Sequence, residues 1–407
     1  MSLSAASTEV IRATLPAVGA AIEDITTLFY RKLFAAHPEL LRDLFNRGNQ
    51  KQGEQQKALA GSIAAFATLQ IGPDADRSEE ILSRIAHKHA TLGITADQYE
   101  IVHKYLFEAI VEVLGDAVTP EVGAAWDEVY WKMATMLIKI ESDLYAEAGV
   151  AAGKVWRTVA VSRRVLQSAE TVSFVLTSTD GEALPSYRPG QYISVSVPLP
   201  DGANQIRQYS LVGTPSATEW QISVKAVPGS VADDGTEIPA GEVSNFLYHN
   251  VFEGDTLSVS HPFGDLVLGE DQSPVLLVSA GIGCTPMIGM LNHLADTDDR
   301  RRVSVLHADR SPAQHAHRAE LSDLVERLPS AVMHRWYEDL GAREPAGTTY
   351  TGRADLSTVE IEDGTKVYLC GPMPFMLSVR ESLLERDVPA SSIHYEVFGP
   401  DSWAAAR

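Results

Sequence analysis

Three groups of residues in this 407-residue chain have types and spacings that could do chemistry. The first centres on His89, in the run Ala86-His87-Lys88-His89-Ala90. The stretch from residue 79 to 92 has helical periodicity. At 100° per residue Ile81, Leu82, Ile85, His89 and Leu92 share one face, His87 projects to the opposite side and Lys88 lies on a flank. That places His89 toward a core. A histidine on an apolar face is most often a satisfied core residue, and otherwise a metal or haem ligand. Polar residues interrupt neighbouring apolar faces in the same region. Gln55 ends the stripe Leu59, Ile63, Phe66; Tyr30 sits within a run of apolar residues, with Phe45 in the connection that follows; Glu141 borders the stripe Trp126, Tyr130, Met133, Leu137, Ile140, Leu144. Any one of these alone reads as a cap or a snorkelling side chain. Several around a single candidate ligand read as a pocket for a bound group.

The second group is Gly281-Ile282-Gly283-Cys284-Thr285-Pro286, directly after the apolar run 274–280. Glycines let the backbone turn sharply and approach a ligand, and a helix opening there offers free N–H groups to a pyrophosphate. An ordinary strand-to-helix turn is the alternative. The third group is Arg207-Gln208-Tyr209-Ser210: a guanidinium for a phosphate, a ring to stack on a flat heterocycle, a hydroxyl for a ring nitrogen. Arg188-Pro189-Gly190-Gln191-Tyr192 precedes it. Gly241-Glu242-Val243-Ser244-Asn245 follows, with Ser244 expected as a helix N-cap facing an anion.

The elements that must hold these groups change character along the chain. Residues 8–147 have helical periodicity, with Thr8 as the expected first cap, stretches at 22–34, 54–68, 79–92, 97–114 and 126–145, and breakers at His37-Pro38 and Gly72-Pro73. This is an all-α module of six to eight helices. From about 155 to 268 the period is two, with short strands separated by turns such as Asp180-Gly181 and Pro189-Gly190, which implies an antiparallel β-barrel; 228–242 reads as a polar loop. From Pro274 strands alternate with helices near 286–294, 315–328 and 374–386, implying an α/β parallel sheet. The expected domains are 1–147, 153–269 and 273–407.

Composition narrows the partners. The formal charge is −21, from 33 basic and 54 acidic residues, which argues against nucleic acid and anionic membrane surfaces. No apolar run of spanning length and no leader pattern is read, and two cysteines provide neither a disulfide framework nor a cysteine zinc site. A cytoplasmic monomer is expected.

The runs RPGQY, RQYS, G-x-V-S-N, GIGCTPM, YLCGP and YEVFG resemble the ferredoxin-reductase family of flavin enzymes. The resemblance implies FAD on Tyr192, Arg207, Gln208, Tyr209, Ser210, Val243 and Ser244, with NADPH or NADH on Gly281, Ile282, Gly283, Cys284, Thr285, Pro286, Cys370, Gly371 and Pro372. Phe398, between Val397 and Gly399, would lie over the flavin. The family often has glutamine where this chain has Cys284. Arg310, after the second strand of the α/β unit, could meet a 2′-phosphate or be a surface arginine. With the helical module, marked by FYRKLFAAHPEL, LFNRGNQ, AHKHATLGI and DQYEIVHKYL, the whole chain resembles bacterial flavohaemoglobins, whose N-terminal domain is an all-α globin. That resemblance implies a haem b iron on His89 and a relay through Tyr99 and Glu141. Tyr30, Gln55 and Leu59 would line the distal side, Phe45 would wedge the porphyrin, and Lys88 and Glu396 would form a pair between haem and flavin. Val397 stands where relatives often carry cysteine. The implied activity is nitric oxide dioxygenase, with electrons passing from NAD(P)H through FAD to haem and with O2 and nitric oxide giving nitrate. Two other readings stay open: an oxygen-binding or sensing globin, and a flavin reductase of small acceptors with a structural helical domain.

Overall fold

A computed structural model describes residues 3–73, 78–231 and 235–399. These fall into two compact units. One holds the residues up to Trp156 together with Pro198–Ile206 and Gly399, the other Arg157–Val197 and Arg207–Phe398.

The first unit is helical: α1 (Ala5–Ala36), α2 (Pro38–Asp43), α3 (Arg47–Lys51), α4 (Glu54–Ile71), α5 (Ser78–Leu92), α6 (Ala96–Leu114) and α7 (Pro120–Glu147). The first helix corrects two expectations. Its cap is Ser4, which accepts the amide of Ser7, while Thr8 lies inside the helix and its hydroxyl donates to the Ser4 carbonyl at 2.9 Å. The helix also runs unbroken through Pro16 and Gly19, where separate stretches were expected. The alanines around that glycine are strong helix formers, and burial of Ile11, Val18, Ile25 and Phe29 holds the segment on one axis. His37-Pro38 does end it, since proline cannot continue the ladder but can open the next helix at its first position. Thr95 and Gln98 form a reciprocal capping box at the start of α6.

Side chains from α1, α4, α6 and α7 make the core, with Phe29, Leu33, Phe66, Leu106 and Leu137 buried. On α5 the fully buried stripe is Leu82, Ala86 and Ala90. His89 lies beside that stripe, its side chain 33% exposed, with Nδ1 turned inward to the buried Glu141. No helix of the described residues is long and apolar enough to cross a membrane.

The second unit begins as an antiparallel sheet: β1 (Trp156–Ser168), β2 (Thr171–Ser178), β3 (Tyr192–Pro198), β4 (Asn204–Ser210), β5 (Glu219–Lys225) and, later in the chain, β8 (Thr256–Ser260), in the order β4-β3-β8-β1-β2-β5. Leu211, just past β4, bridges antiparallel to Ile222 of β5, which draws the two edge strands together and closes the barrel. Between β5 and β8 the expected polar loop contains a small hairpin, β6 (Ser230–Val231) with β7 (Glu237–Ile238), and then α8 (Glu242–Asn250). Two-residue strands with exposed side chains leave no alternation to detect.

The chain continues as β9 (Val275–Ala280), α9 (Cys284–Asp296), β10 (Val303–Asp309), α10 (Arg318–Arg327), β11 (Ala331–Tyr337), β12 (Thr349–Thr351), β13 (Lys366–Cys370), α11 (Met373–Glu385) and β14 (Ile393–Glu396). The sheet order is β12-β11-β10-β9-β13-β14 and the pairs are parallel. β12, three residues long, was not expected. Strand order reverses at β9, so the carboxyl ends of β9 and β13 flank the crevice where such sheets bind ligands.

Candidate functional site

In the helical unit the structure joins three residues from three helices. Glu141 of α7 is fully buried at 2% exposure, and its Oε1 lies 2.8 Å from His89 Nδ1. Tyr99 of α6 donates its hydroxyl to the same oxygen at 2.5 Å and lies 3.0 Å from the same ring nitrogen. Tyr130, which was read only as a core residue, fixes this arrangement by donating to the Tyr99 carbonyl at 2.5 Å. Burial and the Glu141 carboxylate push the Tyr99 phenol well above its ordinary range, so it remains a donor. A buried carboxylate is tolerated only with such partners. His89 Nδ1 donates to Glu141, which fixes the tautomer in which Nε2 carries the lone pair, and Nε2 has no protein partner among the described residues. A histidine held in this way suits an iron ligand.

On the other side, Tyr30 is 4% exposed and its phenol is pushed well above its ordinary range by burial, opposed by hydrogen bonds with Gln55 and Gln50. The phenol therefore stays protonated and can donate. Its ring lies 5.8 Å from that of Phe45, edge-on, and 5.6 Å from that of Phe34. A cavity of about 370 Å³ opens beside it, lined by Tyr30, Phe34, Leu41, Gln50 and Gln56 among others. Leu59 is half-buried against the same core. Gln50 was not expected, because α3 is only five residues long and carries no periodicity. Lys88 donates to the Gly399 carbonyl at 2.5 Å.

In the second unit, Arg207, Gln208, Tyr209 and Ser210 follow one another at the end of β4. Gln208 donates to Ser194 Oγ of β3 at 3.0 Å. Ser210 is buried and its Oγ has no partner among the described residues, an orphaned hydroxyl of the kind a bound heterocycle would satisfy. Burial pushes the Tyr209 phenol above its ordinary range. Tyr192 opens β3 and exchanges both backbone hydrogen bonds with Phe263. Val243 is buried in the first turn of α8. Ser244 is a correction: the cap of α8 is Gly241, and Ser244 lies a turn inside, its hydroxyl 3.4 Å from the Gly241 carbonyl and from the Val227 amide. Glu242, not a residue after Ser244, already has helical geometry, so the free amides lie nearer Gly241 than expected.

At the carboxyl end of β9, Gly281–Gly283 form a 3₁₀ turn and α9 starts at Cys284, two residues before the expected Pro286. Gly281 has φ +54° and open space where a Cβ would be, whereas a Cβ on Gly283 would lie 2.5 Å from the Cys370 carbonyl oxygen. The turn and the Cys370-Gly371-Pro372 segment are thereby packed backbone to backbone. Ile282 accepts from the Thr285 hydroxyl at 3.0 Å. Cys284 is buried, with its thiol pushed up to about 12 chiefly by burial. Glu396 is buried in register with Cys370 and accepts the Val397 amide at 2.9 Å; Phe398 follows, about half exposed. Beneath the turn lies a group that sequence reasoning missed. Ser279 meets His307 Nδ1 at 2.9 Å, His307 stacks on His315 at 3.8 Å, and His315 Nδ1 meets the Tyr337 hydroxyl at 2.7 Å. The spacing His307, His315, His317 was the available signal.

Residues 27–137 match the globin family and residues 277–381 the oxidoreductase NAD-binding domain family. The flavohemoprotein of Bordetella pertussis is 42% identical over 399 residues, covering 96% of each chain. The chain belongs to the flavohemoprotein family. The Deinococcus radiodurans flavohemoprotein is 40% identical over 399 residues, again 96% of each chain. A crystal structure of flavohemoglobin from Malassezia yamatoensis with bound FAD and heme superposes with a TM-score of 0.86 at 37% identity, covering 98% of this chain and all of that one. The all-α globin-like module, the antiparallel β module and the parallel-sheet module read from the sequence are the family's.

Proposed function

We propose that this flavohemoprotein is a nitric oxide dioxygenase that carries haem b and FAD, draws electrons from NADPH or NADH, and takes O2 and nitric oxide as substrates. When bound, the cofactors supply hydride acceptance, one-electron division and an iron centre for O2, and nitric oxide, O2 and an electron together balance as nitrate. The observation that carries the reading is the His89–Glu141–Tyr99 triad. A buried carboxylate on Nδ1 makes the imidazole a stronger electron donor, which a turnover enzyme uses and an oxygen store does not need.

The chain's own residues then have distinct tasks. His89 would hold iron through Nε2, with Glu141 and Tyr99 holding the ring. Tyr30, positioned by Gln55 and Gln50, keeps its proton and would donate to a substrate bound in the pocket. Phe45 and Leu59 close the pocket with apolar surface. On the reductase side Arg207, Gln208, Tyr209, Ser210, Tyr192, Val243 and Ser244 would hold FAD. Residues Gly281 to Pro286, with Cys370, Gly371 and Pro372, would hold the dinucleotide. Phe398, flanked by Val397 and Gly399, would cover the flavin, and Lys88 and Glu396 would belong to the path between cofactors. The division at 1–147, 153–269 and 273–407 and action as a cytoplasmic monomer complete the reading.

An anaerobic optical titration with NADPH, followed by carbon monoxide, tests it. The expected sequence is flavin bleaching, then haem reduction, then a shifted Soret band. Flavin bleaching without any haem signal in protein made with haem supplied would leave only a flavin reductase.

A further inference from the structure

The end of β10 is the place in this fold where the two nicotinamide dinucleotides differ. In a parallel sheet the pyrophosphate sits at the turn after the first strand, and the adenosine ribose lies over the end of the adjoining strand. There an acidic residue takes a ribose 2′-hydroxyl, or an arginine takes a 2′-phosphate. β9 ends in the Gly281 turn and β10 runs parallel beside it, ending at Asp309, with Arg310 and Ser311 next.

The acid at this position is turned away. Asp309 is 9% exposed; its Oδ1 accepts the Arg310 amide at 2.7 Å and its Oδ2 lies 3.6 Å from His307 Nε2, part of the buried histidine cluster. A carboxylate engaged in this way is not presented to a ribose. Arg310, by contrast, has a side chain 58% exposed. Its only ion pair among the described residues is a long one, 3.5 Å from Nη2 to Glu170 Oε2, and Glu170 also lies 3.9 Å from Lys225. An exposed contact of that length is weak, so a dianionic phosphate can draw the guanidinium from it. Glu170 would then keep Lys225 as its counter-charge.

We infer that this chain selects NADPH over NADH, and that Arg310 makes the choice by pairing with the 2′-phosphate. The inference rests on the dinucleotide reading of the Gly281 turn. The neutral 2′-hydroxyl of NADH offers the guanidinium no charge to pair with, so Arg310 is a specificity residue and takes no part in hydride transfer itself.

Anaerobic rapid-mixing measurement of FAD reduction in the holoenzyme tests it, because the readout needs neither O2 nor nitric oxide. The wild type is expected to favour NADPH by about tenfold or more in the second-order rate constant, and Arg310→Ala to lose most of that factor with NADPH while NADH is unchanged. Glu170→Gln, which releases the guanidinium, moves the ratio further toward NADPH. In parallel, 2′,5′-ADP should compete better than 5′-ADP in the wild type and equally in Arg310→Ala. A wild type that prefers NADH, or an Arg310→Ala variant slowed equally with both nucleotides, overturns the inference. Failure of both nucleotides to reduce the flavin would instead overturn the reductase reading, and the inference with it.

Discussion

The cluster around His89 and the turn at Gly281–Gly283, each proposed above to hold a cofactor, are built from opposite materials. The first is built from polar side chains, one of them a carboxylate at 2% exposure, gathered from α5, α6 and α7. The second is built from backbone and from the absence of side chains, with Gly283 pressed to 2.5 Å (as a notional Cβ) from the Cys370 carbonyl oxygen. Side-chain sites fail by losing a donor or acceptor while the fold survives. Backbone sites fail by displacement, when an added atom shifts the turn itself.

Substitutions can break this contrast, and the largest effect is expected at His89. His89→Ala should remove normal haem ligation, seen as loss of the wild-type ferrous and carbonyl spectra, while NAD(P)H reduces the flavin as before. Next comes Gly283→Ala, where the Cβ meets backbone and the turn must move. Misplacement of a reacting partner by about 1 Å costs roughly 10²-fold, so flavin reduction by nucleotide should fall by about that factor with haem content unchanged. Gly281→Ala sharpens the same point. It has open space but a left-handed backbone, a cost of about 1–2 kcal/mol, and should be the milder of the two.

Glu141→Gln keeps the shape of the triad and removes its charge. It should lower the iron–histidine stretching frequency and reduce nitrate formation by about tenfold or more, as loss of a carboxylate behind a ligating histidine does elsewhere. An unchanged frequency would deny Glu141 its electronic role. Tyr30→Phe removes one hydrogen bond to the distal ligand and should speed O2 dissociation by about tenfold. The smallest effect is at the cysteines. Burial raises the Cys284 thiol to about 12 and the Cys370 thiol upward too, which keeps both protonated near neutral pH. Neither should be alkylated in the folded protein at pH 8, whereas both should react after unfolding; mass spectrometry of the native protein reads this directly.

The residues that sequence reasoning could find are those whose chemistry contradicts their surroundings. Glu141 on a helix of apolar residues, Tyr30 within an apolar run and a glycine turn after an apolar strand each violate a local pattern, and each stands out in the sequence for that reason. The change of period from helical to alternating and then to mixed is legible for the same reason, since burial imposes it. What was not legible depends on how elements meet. His89 meets Tyr99 of α6 and Glu141 of α7, a convergence of three helices that no single helix reveals. Ser244 lies inside α8 because the chain enters helical geometry at Glu242. Gln50 reaches Tyr30 from a helix too short to show a period, and the stacked His307 and His315 come from a strand and a loop eight residues apart.

The central claim is that nucleotide electrons leave the reductase through haem and end, with nitric oxide and O2, in nitrate. Counting nitrate against NAD(P)H consumed in aerobic turnover tests it most directly. The account predicts about two nitrates per nucleotide, because a hydride carries two electrons and each nitrate takes one. It also predicts that Tyr30→Phe and Glu141→Gln slow the rate while leaving that ratio in place. Consumption of nucleotide that is indifferent to nitric oxide, with no nitrate formed, would contradict it.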